Sequence, residues 1–372
     1  MSFLDLRTKL RQDSILDTVV HVAEGGHSSA PLVVELDPTS FCDLACPECI
    51  SSGLLNAGRF TEEALIQFAD DAVQAGVRAV ILIGGGEPLL HPATGRVIAT
   101  LSAGGVAVGI TTNGTQLHRY HQLVAQQVAW TRVSVDAATA QTYGRFRPAR
   151  GGRNKFDQVI ENMRALARDK SGRLGFSFLA MVRHETSVKQ AETNIGEICD
   201  AVELADRVGC DYIEIKAEYD LSHFVKGHRS SALPMLEKEL NRIERARPHL
   251  DIEVILQQNL QRMVDGDGPQ VQPKDYSRCP VAELRTLITS SGAYHCPYHR
   301  GNPRARYGDP TVHSLTEMWA SADREAVARR IRPDRDCEFS CIRHQSNLDI
   351  LELADPRSLL RRNRVPDYDP FI

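Results

Sequence analysis

The chain has 372 residues, of which 42% are hydrophobic and 25% are charged, and its formal net charge is −4. This composition excludes a disordered chain, a collagen-like chain and a strongly basic nucleic-acid-binding protein. The longest unbroken apolar stretch, residues 79–83, is far too short to span a membrane, and the N-terminus lacks the apolar core of a signal peptide. We therefore expect a cytoplasmic protein with no nucleic-acid or membrane partner. Nine cysteines, an odd number without an export signal, favour metal or redox chemistry over disulfides.

The predicted elements alternate between apolar strands and amphipathic helices. The first 30 residues predict a short amphipathic helix that ends at Gly25-Gly26. Strands are predicted at 31–36, 77–83, 106–111, 131–135, 174–181, 212–215 and 252–256. Helices are predicted at 61–76, 97–102, 117–127, 156–167, 195–208 and 235–246. This alternation indicates an α/β fold with a parallel sheet, and six or seven units fit a full or partial TIM-like β/α barrel. In such barrels the functional residues lie on the loops that follow the strands.

The alternation stops near residue 260. Two short apolar segments, 284–289 and 293–297, flank Ser290-Ser291-Gly292, which predicts a β-hairpin. A capping box at residues 314–317 opens one predicted helix that reaches about residue 331. The predicted organisation is an N-terminal helical extension (1–30), a β/α barrel (31–260), and a smaller C-terminal domain with a tail (261–372).

Three cysteines lie within eight residues of sequence, directly after the first predicted strand: Cys42, Cys46 and Cys49. Soft ligands this close together indicate a metal ion or a metal cluster. A zinc site usually takes a fourth protein ligand. Three thiolates would instead leave one iron of a four-iron cluster open for another ligand. From the spacing alone, a zinc site completed by a residue elsewhere stays an alternative.

The CxxxCxxC motif after the first strand resembles the motif of the radical S-adenosylmethionine (SAM) superfamily, and four later segments match the family in order. Residues 84–88 are similar to its GGE motif, which holds the amino group of SAM; glycines allow close backbone approach, and a carboxylate pairs with an ammonium. Residues 111–114 resemble its TNG segment, and residues 134–136 resemble its ribose and carboxylate contacts. The residues that the resemblance assigns to SAM, with the last against the adenine, are Gly85, Gly86, Glu87, Thr112, Asn113, Ser134, Asp136 and Met181.

Four further cysteines lie in the C-terminal region: Cys279, Cys296, Cys337 and Cys341. Their order (a cysteine, a hairpin, a cysteine, a helix and a close pair) resembles the twitch domain, the shortened relative of the SPASM domain. The resemblance implies that the four thiolates bind an auxiliary [4Fe-4S] cluster. The spacing departs from the common form by one residue at two places, so a zinc site stays an alternative. Three histidines are further candidate ligands: His295, His299 and His344.

The remaining two cysteines are predicted to be structural. Cys199 lies within a predicted helix, and Cys210 precedes the sixth strand, at the end opposite the expected site. A radical epimerase needs a thiol near its substrate to donate a hydrogen atom. The positions of these two cysteines therefore disfavour epimerisation.

Three charged side chains share the predicted inner face of the sixth strand: Glu214, Lys216 and Glu218. Charges inside a barrel are costly unless they pair or bind something. One interpretation is an internal salt bridge. The other is a polar pocket for a hydroxylated, amino-bearing or carboxylated substrate. Four residues elsewhere would add to such a pocket: Asp37, Gln257, Asn259 and Arg285.

The family resemblance implies the chemistry. A [4Fe-4S] cluster on Cys42, Cys46 and Cys49 would take an electron from reduced flavodoxin or ferredoxin and cleave SAM to a 5′-deoxyadenosyl radical. That radical would abstract a hydrogen atom from the substrate, and an auxiliary [4Fe-4S] cluster could then accept an electron from the substrate radical.

The substrate class is inferred from two features. The predicted barrel begins at residue 31, which leaves little room for a leader-binding domain, and the sixth strand is charged. Both favour a small polar metabolite (a sugar, aminocyclitol, aminoglycoside or nucleoside) that is dehydrogenated in natural-product biosynthesis. The enzyme alternatives are epimerisation, dehydration or decarboxylation of the same class, and maturation of a ribosomal peptide. The non-enzyme alternative is a zinc-stabilised binding protein.

Overall fold

The structure is a computed structural model, and it describes residues 6–183, 192–217, 229–257, 260–261, 264, 274–339 and 341–372. The described strands are β1 (Val33–Asp37), β2 (Ala79–Leu82), β3 (Ala107–Thr112), β4 (Trp130–Ser134), β5 (Arg173–Ala180), β6 (Val182–Arg183), β7 (Glu192–Thr193), β8 (Tyr212–Ala217), β9 (Glu253–Leu256), β10 (Arg285–Thr289), β11 (Gly292–Tyr294) and β12 (Arg306–Gly308). The described α-helices are α1 (Leu6–Lys9), α2 (Leu16–Ala23), α3 (Glu62–Gln74), α4 (Thr94–Ala103), α5 (His121–Gln127), α6 (Ala140–Phe146), α7 (Phe156–Asp169), α8 (Ile198–Val208), α9 (Arg229–Ala246), α10 (Leu315–Trp319), α11 (Ala322–Arg330), α12 (Pro333–Asp336) and α13 (His344–Glu352).

One sheet of ten strands has the order β12-β11-β10-β1-β2-β3-β4-β5-β8-β9. Every neighbouring pair from β10 to β9 is parallel, while β11 and β12 are added antiparallel. The short strands β6 and β7 form a separate pair. Within the described residues no pairing joins β9 to β12, so the sheet stays open. The structure thus confirms the predicted α/β fold with a partial barrel. The prediction allowed six or seven strand-helix units, and β9 is the seventh parallel strand of this part of the sheet.

Alternate residues of the parallel strands pack against the outer helices. Val34 and Leu36 of β1 are fully buried there, as are Val80 and Leu82 of β2. Helix α3 begins where predicted, because the Thr61 side chain accepts a hydrogen bond from the backbone nitrogen of Ala64. The odd-numbered residues of β1 lie on the other, inner face of the sheet. The polar side chains described below lie at the ends of the strands.

The two chain ends meet at the amino-terminal ends of the strands. The ring of Phe371 packs edge-on against Trp130, the first residue of β4, with ring centroids 5.4 Å apart. Lys9 and Asp369 form a buried ion pair at 2.7 Å. The predicted extended tail is therefore held in place, and it covers the end of the sheet opposite the cysteine loop.

The C-terminal region differs from the prediction in two ways. The predicted hairpin is present as β10 and β11, but β10 also pairs in parallel with β1, so the hairpin extends the barrel sheet. The single helix predicted to reach residue 331 is two helices, α10 and α11, because Ser321 caps a new helix by accepting a hydrogen bond from the backbone nitrogen of Arg324. The predicted capping box of Ser314 and Glu317 is present.

The N-terminal helix is likewise divided, into α1 and α2. None of the helices in the described part of the chain has the length and hydrophobicity that a membrane span requires.

Candidate active site

The three cysteines of the first motif lie in the loop after β1. Cys42, Cys46 and Cys49 are all free and partly buried. Burial, with smaller contributions from the neighbouring carboxylates Glu87 and Asp43, raises the pKa of Cys42 to about 12. A metal or a cluster stabilises thiolates strongly enough to displace such protons.

Asp43 ties the cysteine loop to the loop after β3. Its Oδ1 accepts a hydrogen bond from Asn113 Nδ2 at 2.8 Å, and its Oδ2 accepts one from Thr115 Oγ1 at 2.7 Å. The same Asn113 amide lies 3.8 Å from the Cys42 sulfur. The CxxxCxxC and TNG motifs, 70 residues apart at this contact, therefore form one structural unit.

Glu87 joins the second motif to the third. Its carboxylate accepts hydrogen bonds from the Thr112 hydroxyl at 2.6 Å and from the backbone nitrogens of Asn113 at 2.7 Å and Leu89 at 3.0 Å. The side chain is buried, and burial raises its pKa to about 7. Its oxygens are thus engaged inside the protein.

Gly86 lies directly against the cysteine loop. A Cβ atom at this position would stand 2.2 Å from the carbonyl oxygen of Phe41, so no other residue fits without movement. The backbone nitrogen of Glu87 donates to that same carbonyl at 2.8 Å. At Gly85, the backbone nitrogen donates to Asp37 Oδ2 at 2.7 Å. The glycines therefore serve close backbone contacts, as the motif predicts.

The ends of β4 and β5 are joined around Asp136. Its Oδ2 accepts a hydrogen bond from Arg147 Nε at 2.6 Å, and its Oδ1 accepts one from the backbone nitrogen of Leu179 at 2.7 Å. Asn194 links the backbone oxygen of Asp136 to the backbone nitrogen of Met181, at 2.9 and 2.8 Å. Ser134, at the end of β4, is half-buried beside them. The predicted SAM residues of these two strands therefore lie together.

Sequence reasoning missed the segment that follows α6. Ala149 forms an antiparallel bridge with Leu44, and the Ala45 backbone nitrogen donates to the Pro148 oxygen at 2.7 Å. The side chain of Arg150 donates to the Cys42 carbonyl oxygen at 2.9 Å. Residues 147–150 thus brace the cysteine loop from the side opposite Asn113. The available signal was the three arginines Arg145, Arg147 and Arg150 at the end of α6 and in the loop before α7.

The donor chemistry of the loop fits an iron-sulfur cluster. Across the described residues, no three His, Cys, Asp or Glu side chains converge as a single metal ion requires. A four-iron cluster is larger than one ion and takes its thiolates from farther apart. Among the described residues the buried hydroxyl of Tyr143 has no hydrogen-bond partner, and Cys46 and Arg147 are among its titratable neighbours. A buried hydroxyl without a partner beside a thiol indicates that a hydrogen-bond acceptor binds next to Tyr143 and Cys46.

The family model described as the Radical SAM superfamily matches residues 36–190. The match covers the cysteine loop and every strand end described above. The chain contains a radical SAM domain. This confirms the resemblance, and the cofactors that belong to the domain are a [4Fe-4S] cluster and SAM.

Two curated relatives are similar to this region. The AdoMet-dependent heme synthase of Methanosarcina barkeri is 27% identical over 186 residues, 49% of this chain and 49% of that protein. The mycofactocin maturase MftC of Mycobacterium ulcerans is 28% identical over 183 residues, 48% of this chain and 46% of that protein. The chain thus matches about half the length of these relatives.

Two solved structures share the fold over more of the chain. Streptococcus suis SuiB bound to the precursor peptide SuiA has a TM-score of 0.59 at 13% identity, covering 82% of this chain and 68% of that one. The enzyme anSMEcpe with bound AdoMet and the Cp18Cys peptide has a TM-score of 0.56 at 13% identity, covering 88% and 97%. At this identity the likeness establishes the fold alone.

Outside the radical SAM domain, the second set of cysteines forms a buried group. Burial raises the pKa of all four thiols, and the pKa of Cys279 and of Cys337 reaches about 12. Other cysteines of the group also raise the pKa of Cys279, Cys296 and Cys337. His299 Nε2 lies 3.7 Å from the Cys337 sulfur. His344 is instead hydrogen-bonded to the Tyr276 hydroxyl at 3.0 Å. Of the three candidate histidines, His299 is therefore the one that this contact places beside a cysteine sulfur.

The predicted substrate residues are largely paired within the protein. Arg132 of β4 contacts Glu214 at 2.7 Å, and Lys216 lies 3.7 Å from the same carboxylate. Arg285 contacts Glu35 of β1 at 2.8 Å. The contacts of Glu214 with Arg132 and Lys216 agree with the interpretation of the charged sixth strand as part of an internal salt bridge. Two of the predicted residues, Glu218 and Asn259, lie outside the described residues.

Asp37 is the predicted substrate residue nearest to the second motif. Its Oδ2 lies 3.4 Å from Arg300 Nε and accepts from Gly85, while its buried Oδ1 has no hydrogen-bond partner. Burial raises the pKa of Asp37 to about 6. Arg300 follows Cys296 in sequence and its Nη1 lies 3.5 Å from the Ser51 hydroxyl, so this contact joins the two cysteine regions.

Cys199 and Cys210 are both buried, as predicted for structural residues. Cys199 lies in α8, and Cys210 precedes β8 at the end remote from the cysteine loop. Burial raises the pKa of both thiols.

Proposed function

We propose that this radical SAM enzyme modifies a peptide substrate. The sequence-based preference for a sugar-like metabolite depended on two features, the position of the predicted barrel and the charges of the sixth strand. Of those charges, Glu214 and Lys216 lie 3.7 Å apart, and Glu218 lies outside the described residues. The 2.7 Å contact between Arg132 and Glu214 is the observation that weighs most, because it engages the Glu214 carboxylate inside the protein. The similarity to a relative named as a maturase and the fold shared with two peptide-bound enzymes support the peptide alternative.

Cys42, Cys46 and Cys49 hold the cluster of the radical SAM domain in this proposal. When bound, the reduced cluster and SAM together supply a 5′-deoxyadenosyl radical that removes a hydrogen atom from an unactivated carbon. The protein contributes the shape and charge of the site. Asp43 and the segment 147–150 hold the cysteine loop from two sides.

Glu87 acts as an organiser of the SAM site. Its carboxylate already accepts three hydrogen bonds, so the backbone carbonyls of the glycine motif would accept from the SAM ammonium in its place. Thr112 and Asn113 are fixed by the same carboxylate. Glu87 thus fixes the backbone that contacts SAM and need not contact SAM itself.

The remaining SAM contacts come from the ends of β4 and β5. Arg147 is held by Asp136 and neighbours Cys46, so it supplies the positive charge for the SAM carboxylate. Ser134 serves the ribose, and Met181 packs against the adenine, as the family resemblance implies. Arg147 was not among the SAM-binding residues predicted from the sequence, and this proposal adds it to them.

Cys279, Cys296, Cys337 and Cys341 bind a second four-iron cluster in this proposal. All four cysteines are partly buried, and other cysteines of the group raise the pKa of Cys279, Cys296 and Cys337, so the four suit a closed site in which each iron has a protein ligand. Reduced flavodoxin or ferredoxin serves as the one-electron donor.

The experiment is an anaerobic assay of the reconstituted protein with SAM and a reductant. One panel contains precursor peptides encoded beside the gene, and the other contains aminocyclitol, aminoglycoside and nucleoside intermediates. We expect 5′-deoxyadenosine to rise with a peptide, and the mass of that peptide to change. A mass change confined to a small metabolite would overturn the peptide proposal. A Glu161→Gln variant, altered on the exposed face of α7, serves as the matched control.

A further inference from the structure

Lys274 is a buried cation beside the auxiliary cysteines. Its side chain is 7% exposed, and its ammonium donates hydrogen bonds to the backbone oxygens of Cys337 at 2.5 Å and Phe339 at 2.8 Å. The ammonium also lies 5.6 Å from the centre of the Phe339 ring. Within the described residues it has no carboxylate partner. A buried ammonium held only by neutral groups is costly unless a negative charge lies nearby.

Arg343 is a second cation on the same group of cysteines. It stands two residues after Cys341, and its charged neighbours are Glu35, Arg285 and Cys341. Glu35 is already paired with Arg285 at 2.8 Å. In the part of the chain that the structure describes, Cys341 and Tyr298 are the other titratable neighbours of Arg343.

The acidic groups near these cysteines have arginine partners of their own. Glu283 contacts Arg324 at 2.6 Å, and Asp336 contacts Arg304 at 3.0 Å. Those carboxylates are therefore neutralised locally. Lys274, by contrast, is bound to the backbone of Cys337, and Arg343 is a neighbour of Cys341.

We propose that Lys274 and Arg343 raise the reduction potential of the auxiliary cluster above the value that it would have without their charges. Reduction adds one negative charge to a cluster, and fixed positive charges stabilise the reduced form, so local charge tunes the potential. This inference rests on the auxiliary cluster proposed above and is independent of the substrate class. Both residues act on the cluster through their positive charge, and neither contacts the substrate.

The test is a redox titration followed by electron paramagnetic resonance. The background is the full chain with Cys42, Cys46 and Cys49 replaced by alanine, so that the auxiliary signal is observed alone. The variants are Lys274→Gln, Lys274→Arg and Arg343→Gln, and exposed Lys238→Gln is the control. Iron and sulfide are counted in each preparation, because an absent cluster in the background protein would refute the proposed auxiliary site itself.

We expect Lys274→Gln and Arg343→Gln each to lower the midpoint potential, with about a tenfold fall in the reduced-to-oxidised ratio at a fixed potential, or about 59 mV for one electron. Lys274→Arg and Lys238→Gln should match the parent protein. Retention of the cluster with an unchanged potential in both glutamine variants would overturn the inference. So would equal shifts in Lys274→Gln and Lys274→Arg, since that pattern identifies a purely structural role. Should Lys274→Gln fail to hold iron, Arg343→Gln alone decides between these outcomes.

Discussion

The carboxylate of Glu87 lies 2.7 Å from the backbone nitrogen of Asn113, and this contact joins the loop after β2 to the loop after β3. Burial raises the pKa of Glu87 to about 7, whereas the ordinary pKa of a glutamate is 4.5. The folded protein therefore holds this proton to higher pH than the unfolded chain. The contribution of Glu87 to stability is thus greatest below pH 4.5 and falls as the pH rises toward 7.

We predict that Glu87→Gln flattens this fall. One group contributes at most about 1.4 kcal/mol per pH unit to the slope, and the glutamine variant lacks that contribution. The measurement is the free energy of unfolding of the metal-free protein by urea between pH 4.5 and 7.5. Glu161→Gln, on the exposed face of α7, should keep the parent slope. An unchanged slope in Glu87→Gln would show that Glu87 is ionised throughout this range.

Asp43→Ala should weaken the cysteine loop. The variant leaves the Asn113 amide and the Thr115 hydroxyl without their acceptor, and bonds to a charged group are worth about 1.5–3 kcal/mol each. We expect a loss of about 2–3 kcal/mol in unfolding free energy and a lower iron content at the radical SAM cysteines. Exposed Glu237→Ala is the control, and equal iron content in the two variants would argue against this role of Asp43.

Two buried tyrosines give a matched test of the orphan hydroxyl. The Tyr307 hydroxyl bonds to Thr286 Oγ1 at 2.6 Å, whereas the Tyr143 hydroxyl has no partner. In the metal-free protein, Tyr307→Phe should cost about 1 kcal/mol and Tyr143→Phe close to nothing. Chemical denaturation measures both values. An equal cost for the two changes would mean that Tyr143 already has a hydrogen-bond partner before any cluster is loaded.

The ion pair inside the barrel predicts a contrast between single and paired changes. Glu214→Gln leaves Arg132 and Lys216 without their shared anion, and breaking a buried pair costs about 3–5 kcal/mol. The double change Arg132→Met with Glu214→Leu removes both charges of the close pair and should recover most of that loss. Thermal unfolding tests this. If Glu214→Gln kept full stability but lost substrate binding, the polar-pocket interpretation would return.

The cysteine motifs and the strand-end segments were predictable because each lies on one short stretch of chain. Cys42, Glu87, Asn113 and Asp136 follow successive strands, and parallel strands bring their ends to one edge. The hairpin signal at residues 290–292 was local in the same way.

Long-range contacts were not predictable from such signals. The pairing of β10 with β1 joins residues about 250 positions apart, as in Val33 and Arg285. Arg147 was overlooked because its role depends on the bridge between Ala149 and Leu44, which no periodicity encodes. The partner of Glu214, Arg132, lies 82 residues away on another strand. The preference for a small polar substrate depended on the absence of such a partner.

The central claim is that Cys42, Cys46 and Cys49 hold the cluster that cleaves SAM, while the four later cysteines hold a second one. The most direct measurement is iron content together with 5′-deoxyadenosine formation after anaerobic reconstitution and reduction. We expect about eight irons in the parent protein, and about four with no 5′-deoxyadenosine in Cys46→Ala. A Cys46→Ala variant that still formed 5′-deoxyadenosine, or a colourless parent protein that bound zinc and cleaved no SAM, would contradict the account.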